Sequence, residues 1–513
     1  MVWKTVITAS PALVLAVPLL FSFLIALLSR FSKKLIKPFF GAALLLTCFF
    51  VSIMTYEVLT AGGWFYTFGA EQSVPRSTLS YFRITFLADG FAALGTLTMS
   101  FTALCIGIYS YSFIEKESHL EKYYILYLII LCGVNGMILT SDLFNLFVWF
   151  ETTTIASSSL IVFNNQRGKS LEAGMKYLIL GLVGGIFFLF SIGLMYGQYG
   201  ALNMVLLSEK ITGTFNDKLA LSILLIVFAT KASSAPFHLW VPDVYGESPG
   251  SVGPWMTMTS IGYLFILFRI VVGGFIGSIT PEFIGVTLII LGSLSMITGV
   301  LMALVQNDLR RLVAYLSISQ VGYMLLAVGV GITTFNTGAY EDFGSLAMTG
   351  GLFHMINDAI YKSLFFLSII TVIYVTNAKM LGDVRGLAKK LPYTTIFFLI
   401  GGLSVAGVPP SAGFYSKFLI YKAAFLYHPL LGLFAVMNTV FILAVVVKVF
   451  STMFLGNSEE CTKGKKEKIP AWMFISMMVL AAAVVIFSIM PHVIISEVIV
   501  PAVEALVGSY QMI

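Results

Sequence analysis

Charge is scarce in this chain: 11% of its 513 residues are Asp, Glu, Lys or Arg, against 58% hydrophobic residues and a mean hydropathy of +0.95. That deficit excludes an ordinary soluble domain, in which about a quarter of the residues are charged, and reads as a polytopic membrane protein. Cysteine is scarce too. Cys48, Cys105, Cys132 and Cys461 lie far apart with no CxxC pair, so they read as structural thiols and offer no zinc or iron–sulfur ligand set. The alternating ten-residue segments of a membrane barrel are missing, which makes the fold class all-α. No loop is long enough for a soluble domain, so no catalytic chemistry and no cofactor are expected in this chain. The net charge of +6 is then a matter of topology and does not point to nucleic acid. The first apolar run, at residues 9 to 29, has no basic leader beyond Lys4 and is followed by RFSKKLIK; it reads as a retained span and not a cleaved signal.

What the chain has is apolar runs of spanning length, about fourteen of them, centred near residues 20, 48, 98, 131, 153, 186, 229, 261, 293, 321, 360, 404, 440 and 483. Lys and Arg concentrate in alternate loops. One loop set holds 18: Arg30, Lys33, Lys34, Lys37, Lys116, Lys122, Arg167, Lys169, Arg310, Arg311, Lys379, Arg385, Lys389, Lys390, Lys463, Lys465, Lys466 and Lys468. The other set, with the N-terminus, holds 5: Lys4, Arg76, Arg83, Lys210 and Lys218. By the positive-inside rule both termini face away from the cytoplasm.

Seven cations remain in or at the edges of spans. Arg269 and Lys422 read as end residues that snorkel to the interface, and Lys448 stands between that reading and a buried one. Lys231 sits five residues before Pro236, and Lys417 follows Pro409 and Pro410; a proline there frees backbone groups and breaks the span. A lone carboxylate, Glu151, lies nine residues beyond Asp142, roughly 13 Å into a hydrocarbon layer about 30 Å thick. A charge at that depth marks a functional site and needs a partner. Asp89 reads as a structural polar residue.

The spacing repeats. Lys176 to Lys231 and Lys362 to Lys417 are both 55 residues, while Asp142 to Glu151 and Asp308 to Ser317 are both nine. Five spans separate each element from its copy, an odd number, so the copies run oppositely through the membrane. That is the inverted-repeat plan of transporters.

The runs LFNLFVWFE, KASSAPFHLWVPDVYGESP, DLRRLVAYLSISQVGYM and GVPPSAGFYSKF resemble the proton-translocating antiporter-like subunits of respiratory complex I, Mrp antiporters and membrane-bound [NiFe] hydrogenases. The resemblance implies fourteen helices with two inverted five-helix repeats and broken helices 7 and 12, divided as residues 1–113 (helices 1–3), 114–275 (helices 4–8), 276–456 (helices 9–13) and 457–513 (helix 14). It implies that Glu151, Lys231, His354 and Lys417 are the family's polar residues of helices 5, 7, 11 and 12. Two positions depart from the pattern: the eighth helix has Thr259, Ser260 and Tyr263 where the family usually carries a lysine, and Asp358 stands where a second histidine is common. The early stop after the last span favours the shorter, D-like type.

The motifs and the buried charges together imply an ion-translocating subunit, carrying protons and open to sodium coupling, in the cell membrane of a prokaryote. Its partners are other integral subunits, either of an Mrp-type antiporter without redox chemistry or of a respiratory complex whose peripheral arm carries iron–sulfur, NiFe or flavin centres outside this chain. A glutamate and a lysine in low dielectric titrate as a coupled pair, so Glu151 modulates Lys231. The expected passage then runs through water, His238, His354 and the hydroxyls of Ser260 and Tyr263 to Lys417, the imidazoles serving because they titrate near neutrality. Lys176, Lys362 and Asp358 either extend this axis or pair locally. The residues alone leave open an autonomous secondary solute symporter, which uses the same broken helices, and an anchoring subunit without transport.

Overall fold

The computed structural model describes residues 2–68, 83–114, 119–163, 168–275, 279–455 and 469–508. Arg76, Lys116, Arg167, Cys461, Lys463, Lys465, Lys466 and Lys468 lie outside them, as does the side chain of Lys4, so part of the expected charge asymmetry has no structural counterpart here.

Among the described residues the architecture is helical apart from one antiparallel strand pair, Trp64–Thr67 with Thr85–Ala88. Among the described residues twelve helices are long and apolar enough to cross a membrane. Three expected spans fall outside that set for reasons visible in their composition. Leu143–Ile161 carries Asn145, Glu151 and a run of hydroxyl residues. The other two are divided. One consists of Phe215–Lys231 and the short helix Val241–Glu247, with Ala232 to Trp240 between them; the other consists of Pro392–Ala406 and Ala412–Tyr427. Each break contains a cis X–Pro peptide, Ala235–Pro236 and Pro409–Pro410. The stretch 457–513, expected to hold one span, contains both Ala471–Ile489 and the helical segment Pro491–Gly508, whose Ala502 packs against Gly90.

The repeat is visible in backbone detail. Asp142 caps Leu143–Ile161 by accepting from the Asn145 amide at 2.7 Å, and Asp308 caps Leu309–Thr333 by accepting from Arg310 and Arg311 at 2.9 and 3.1 Å. Such caps satisfy amides that a helix start leaves free. Each capping aspartate also forms an isolated antiparallel bridge with a distant strand-like residue, Asp142 with Asn203 and Asp308 with Met380. The flanking bonds match as well: Leu143 N to Leu202 O (2.9 Å) and Met204 N to Ser141 O (2.7 Å) in one copy, Leu309 N to Lys379 O (3.0 Å) and Leu381 N to Asn307 O (2.8 Å) in the other.

Arg269 does not snorkel. It is 5% exposed and forms a two-pronged pair with Asp89 at 2.5 and 2.7 Å, under the ring of Phe91. Asp89 in turn caps Gly90–Phe113 through the Ala92 amide. An unpaired guanidinium buried there would cost several kcal/mol, so the carboxylate fixes its place. Lys422 is exposed. Lys448 donates to Leu304 O at 2.8 Å, filling one of the carbonyls that the end of Pro281–Val305 leaves free.

Candidate functional site

In the first half, Phe215–Lys231 starts with a capping box, Thr214 and Asp217, and ends on Lys231. It ends there because the following backbone donors are diverted or absent: Ala235 N bonds Ser295 Oγ at 2.9 Å and Pro236 has no N–H. The Trp240 indole closes the turn on Thr230 O at 2.9 Å. Lys231 is 3% exposed, and its ammonium lies 4.0 Å from the ring centre of Tyr177, 5.4 Å from Phe150 and 5.9 Å from Tyr263. These are attractive cation–π distances. Among the described residues Lys231 Nζ has no hydrogen-bond acceptor.

Glu151 and Lys231 meet along a glycine face of Gly168–Tyr199. A Cβ on Gly181 would stand 2.7 Å from Lys231 Nζ, and one on Gly185 would collide with Glu151 Oε1. Four residues along a helix is about 6 Å of rise, so the two charges occupy adjacent notches and interact through space. No direct hydrogen bond joins them. Buried beside them and also lacking hydrogen-bond partners are the hydroxyls of Thr154, Ser157, Tyr177 and Tyr263. An apolar cleft of about 260 Å³, lined by Phe150, Val183, Phe187, Ile226 and Val227 among others, reaches Lys231 between the helices.

In the second half, Lys417 is fully buried and has an acceptor. Its ammonium donates to Val405 O at 2.8 Å and sits 4.7 Å from the Tyr323 ring centre. Val405 O is free because its helical donor would be residue 409, a proline. Gly407, in the left-handed region at φ 70°, lets the chain turn; a Cβ there would press on the Lys417 stem at 2.8 Å. Gln320 Nε2 shares the same carbonyl at 3.3 Å, and its Oε1 lies 3.1 Å from His354 Nε2. With the amide nitrogen donating, Oε1 accepts, which assigns the Nε2–H tautomer to neutral His354; Nδ1 then accepts from Ser416 Oγ at 2.9 Å. His354 and Lys417 are thus joined through Gln320 and one carbonyl.

Ser345–Thr376 carries His354, Asp358 and Lys362 at four-residue intervals, hence on one face. Asp358 and Lys362 form a buried ion pair, and Lys362 Nζ donates to Ser317 Oγ at 3.0 Å. Ser260 and Ser233 hydroxyls pair at 3.0 Å near the first break.

Lys176, expected either to extend the axis or to pair locally, pairs locally as an exposed member of an ion network: Glu172 at 2.7 Å and Asp243 at 2.9 Å, with Arg311 3.2 Å from Asp243. Its ammonium ends near polar surface, where pairing is cheap, and does not reach the buried groups. His238 lies half-buried on the turn between Pro236 and Trp240 with no partner on Nδ1, so the structure does not join it to His354. Tyr263 lines the Lys231 enclosure. Sequence reasoning missed Tyr177, Gln320, Ser416 and the bonding of Ser317. The signal for two of them was a polar stripe: Ser317 and Gln320, three apart, share one face of an otherwise apolar helix.

Residues 140–442 match the model of the NADH:quinone oxidoreductase/Mrp antiporter transmembrane family. The chain is 31% identical over 419 residues to an Na(+)/H(+) antiporter subunit of Alkalihalophilus pseudofirmus, covering 79% of this chain and 78% of that one. It is 28% identical over 524 residues to an NADH-quinone oxidoreductase subunit of Desulforudis audaxviator, covering 95% and 97%. A chain of the archaeal membrane-bound sulfane sulfur reductase superposes with a TM-score of 0.85 at 27% identity over 98% of both chains. With more than half its length inside the family model, and with both lysines, the glutamate and the histidine inside that stretch, this chain belongs to the NADH:quinone oxidoreductase/Mrp antiporter family of multi-pass membrane subunits.

Proposed function

We propose that this chain carries protons across a prokaryotic cell membrane as one subunit of a larger complex, with Lys231 as the carrier of the first half, Glu151 as the charge that sets its proton affinity, and His354 and Lys417 as the corresponding groups of the second. The observation that carries this reading is Lys231 itself, an ammonium buried at a helix break inside Phe150, Tyr177 and Tyr263, without a hydrogen-bond acceptor among the described residues and one helical turn from a carboxylate. Buried polar groups are ordinarily bonded. Five in one place, Lys231 with the Thr154, Ser157, Tyr177 and Tyr263 hydroxyls, suit a chamber that admits water and passes protons. A structural ion pair would instead have closed on Glu151 directly, as Asp89 closes on Arg269.

The relatives are named as subunits of multi-subunit assemblies, which supports the same assignment here and gives no support to an autonomous symporter. Neighbouring integral subunits would then abut this one, and any redox centre, whether iron–sulfur, NiFe or flavin, would sit in a partner arm. Metal and flavin analysis of the purified complex identifies that arm. The loop charges favour both termini outside the cytoplasm, and fusion reporters at each end are expected to read outside.

Proton uptake by the complex in liposomes tests the central assignment. Lys231→Ala is expected to remove uptake while subunit composition on a native gel stays that of the parent. An assembled variant with full uptake would overturn the assignment.

A further inference from the structure

Each half contributes a buried hydroxyl grouping close to its own charged residues. On the first-half side Ser260 Oγ and Ser233 Oγ are paired at 3.0 Å, beside the break that begins at Lys231. On the second-half side Ser317 Oγ receives the Lys362 ammonium at 3.0 Å, and Lys362 is paired with Asp358, four residues along from it and four from His354. The eighth-helix lysine that could have bridged them is absent from this sequence. Tyr245, 1% exposed, sits on the short helix that packs against both Val252–Phe268 and Leu309–Thr333, and its hydroxyl has those of Ser233, Thr257, Ser260 and Ser317 as neighbours. Among the described residues no hydrogen bond fixes that hydroxyl to any one of these neighbours.

The break in the chain puts it there. Val241–Glu247 is too short to span anything, and it packs against Gly168–Tyr199, Val252–Phe268 and Leu309–Thr333 together. It is pinned to the last of these by Asp243 and Glu247, which reach Arg311 at 3.2 and 3.5 Å, and by Ser248 O, which accepts from Arg310 at 2.9 Å. Phe366, 5.9 Å from the Tyr245 ring centre, holds it from the second-half side. The ring is fixed while the O–H turns about its own bond. A phenol hydroxyl donates one hydrogen bond and accepts others.

We infer that Tyr245 is the residue through which protons pass from the first half to the second, in place of the missing lysine; this rests on the proton-carrier reading above. In one transfer the Tyr245 Oη–H bond breaks as its proton goes to Ser317 Oγ, while Oη takes a proton from Ser260 Oγ. Ser317 passes its surplus proton to Lys362, whose own ammonium proton has first moved to Asp358 and left a neutral amine. Ser260 is replenished through Ser233 from the Lys231 side. One proton crosses and is held by the Lys362–Asp358 pair, while the hydroxyls of Tyr245, Ser317, Ser260 and Ser233 end with the number they began with and no charge is left on the tyrosine.

The test uses the whole complex in liposomes with Lys231→Ala as reference. Tyr245→Phe keeps the ring and its packing and is expected to lower proton uptake tenfold or more, with assembly unchanged. As a readout that packing does not move, 3,5-difluorotyrosine placed at 245 makes the phenol more acidic without changing its shape. It is expected to shift the pH profile of uptake, whereas the same replacement at Tyr109, equally buried but bonded to Thr371 at 2.9 Å, leaves the profile in place. If Tyr245→Phe fails to assemble, the difluorotyrosine result decides alone. Parental uptake and pH profile at 245, with Lys231→Ala inactive, would overturn this inference and leave the carrier reading standing. Uptake by assembled Lys231→Ala would overturn the carrier reading instead.

Discussion

The two halves of the molecule start from the same backbone plan and end with differently held lysines. Lys231 has aromatic faces and a carboxylate one notch away but, among the described residues, nothing to donate to; Lys417 donates to a carbonyl that a proline has freed. The position that carries Glu151 in the first copy carries Ser317 in the second, and the position of exposed Lys176 carries buried Lys362 with its own aspartate. In the first half the counter-charge is on a neighbouring helix, while in the second it is on the lysine's own helix, beside the histidine. A proton on Lys231 therefore answers to one carboxylate across a helix interface. In the second half a proton on Lys362 answers to Asp358 and Ser317, while one on Lys417 is tied through the Val405 carbonyl and Gln320 to His354. The lesson is that a repeat can conserve where a group sits and still change how tightly it is held.

The largest expected effect would come from removing the better-held lysine. Lys417→Ala is predicted to lower proton uptake about a hundredfold or more, the scale of losing a proton-transfer group, with assembly preserved. If that variant conducts, the second half is not in series with the first and the two lysines serve separate routes.

Next in size is the histidine between them. His354→Phe removes both bonds that tie Gln320 to Ser416 and is predicted to stop or strongly slow uptake. His354→Gln is predicted to retain part of it, because an amide can still accept and donate. Equal and full activity of both variants would take this histidine out of the path.

The smallest effect belongs to the looser, first-half pair. Glu151→Gln keeps shape and removes charge, and a roughly tenfold loss of uptake is expected, one unit of proton affinity being worth about 1.4 kcal/mol. Gly185→Ala is predicted to act in the same direction, since its methyl group would occupy the place of Glu151 Oε1. Should Gly185→Ala behave as the parent, the carboxylate has room to move and the notch does not set its position.

How much of the fold and the site is legible in the sequence depends on whether the cause is local. Prolines 236, 409 and 410 announce both breaks, because a missing N–H acts within one turn. The nine-residue and 55-residue spacings announce the repeat, which the paired aspartate bridges display in the backbone. Arg269 misleads because its partner, Asp89, is 180 residues away and only the packing brings them together. Lys176 shows a related limit: its spacing matches Lys362 and leaves axis and local pair both open, and only the packing brings its side chain to Glu172 and Asp243 at the surface. Tyr245 is an ordinary residue in sequence. What distinguishes it is packing against three helices, which no period in the chain encodes.

The bridges of Asp142 with Asn203 and of Asp308 with Met380 also have a mechanical meaning. Each clamps a helix at its first residue and so works as a hinge pin with the functional residue on the arm beyond it, an arm that in the second half is also bonded through Ser317 and Gln320. Glu151 and Ser317 both lie nine residues from their pins, a lever of roughly 13 Å. Tilting such an arm by about 10° sweeps its tip through about 2 Å, enough to make or break a hydrogen bond. Because both arms have the same length, the same tilt in either half displaces its proton-handling residue by the same step.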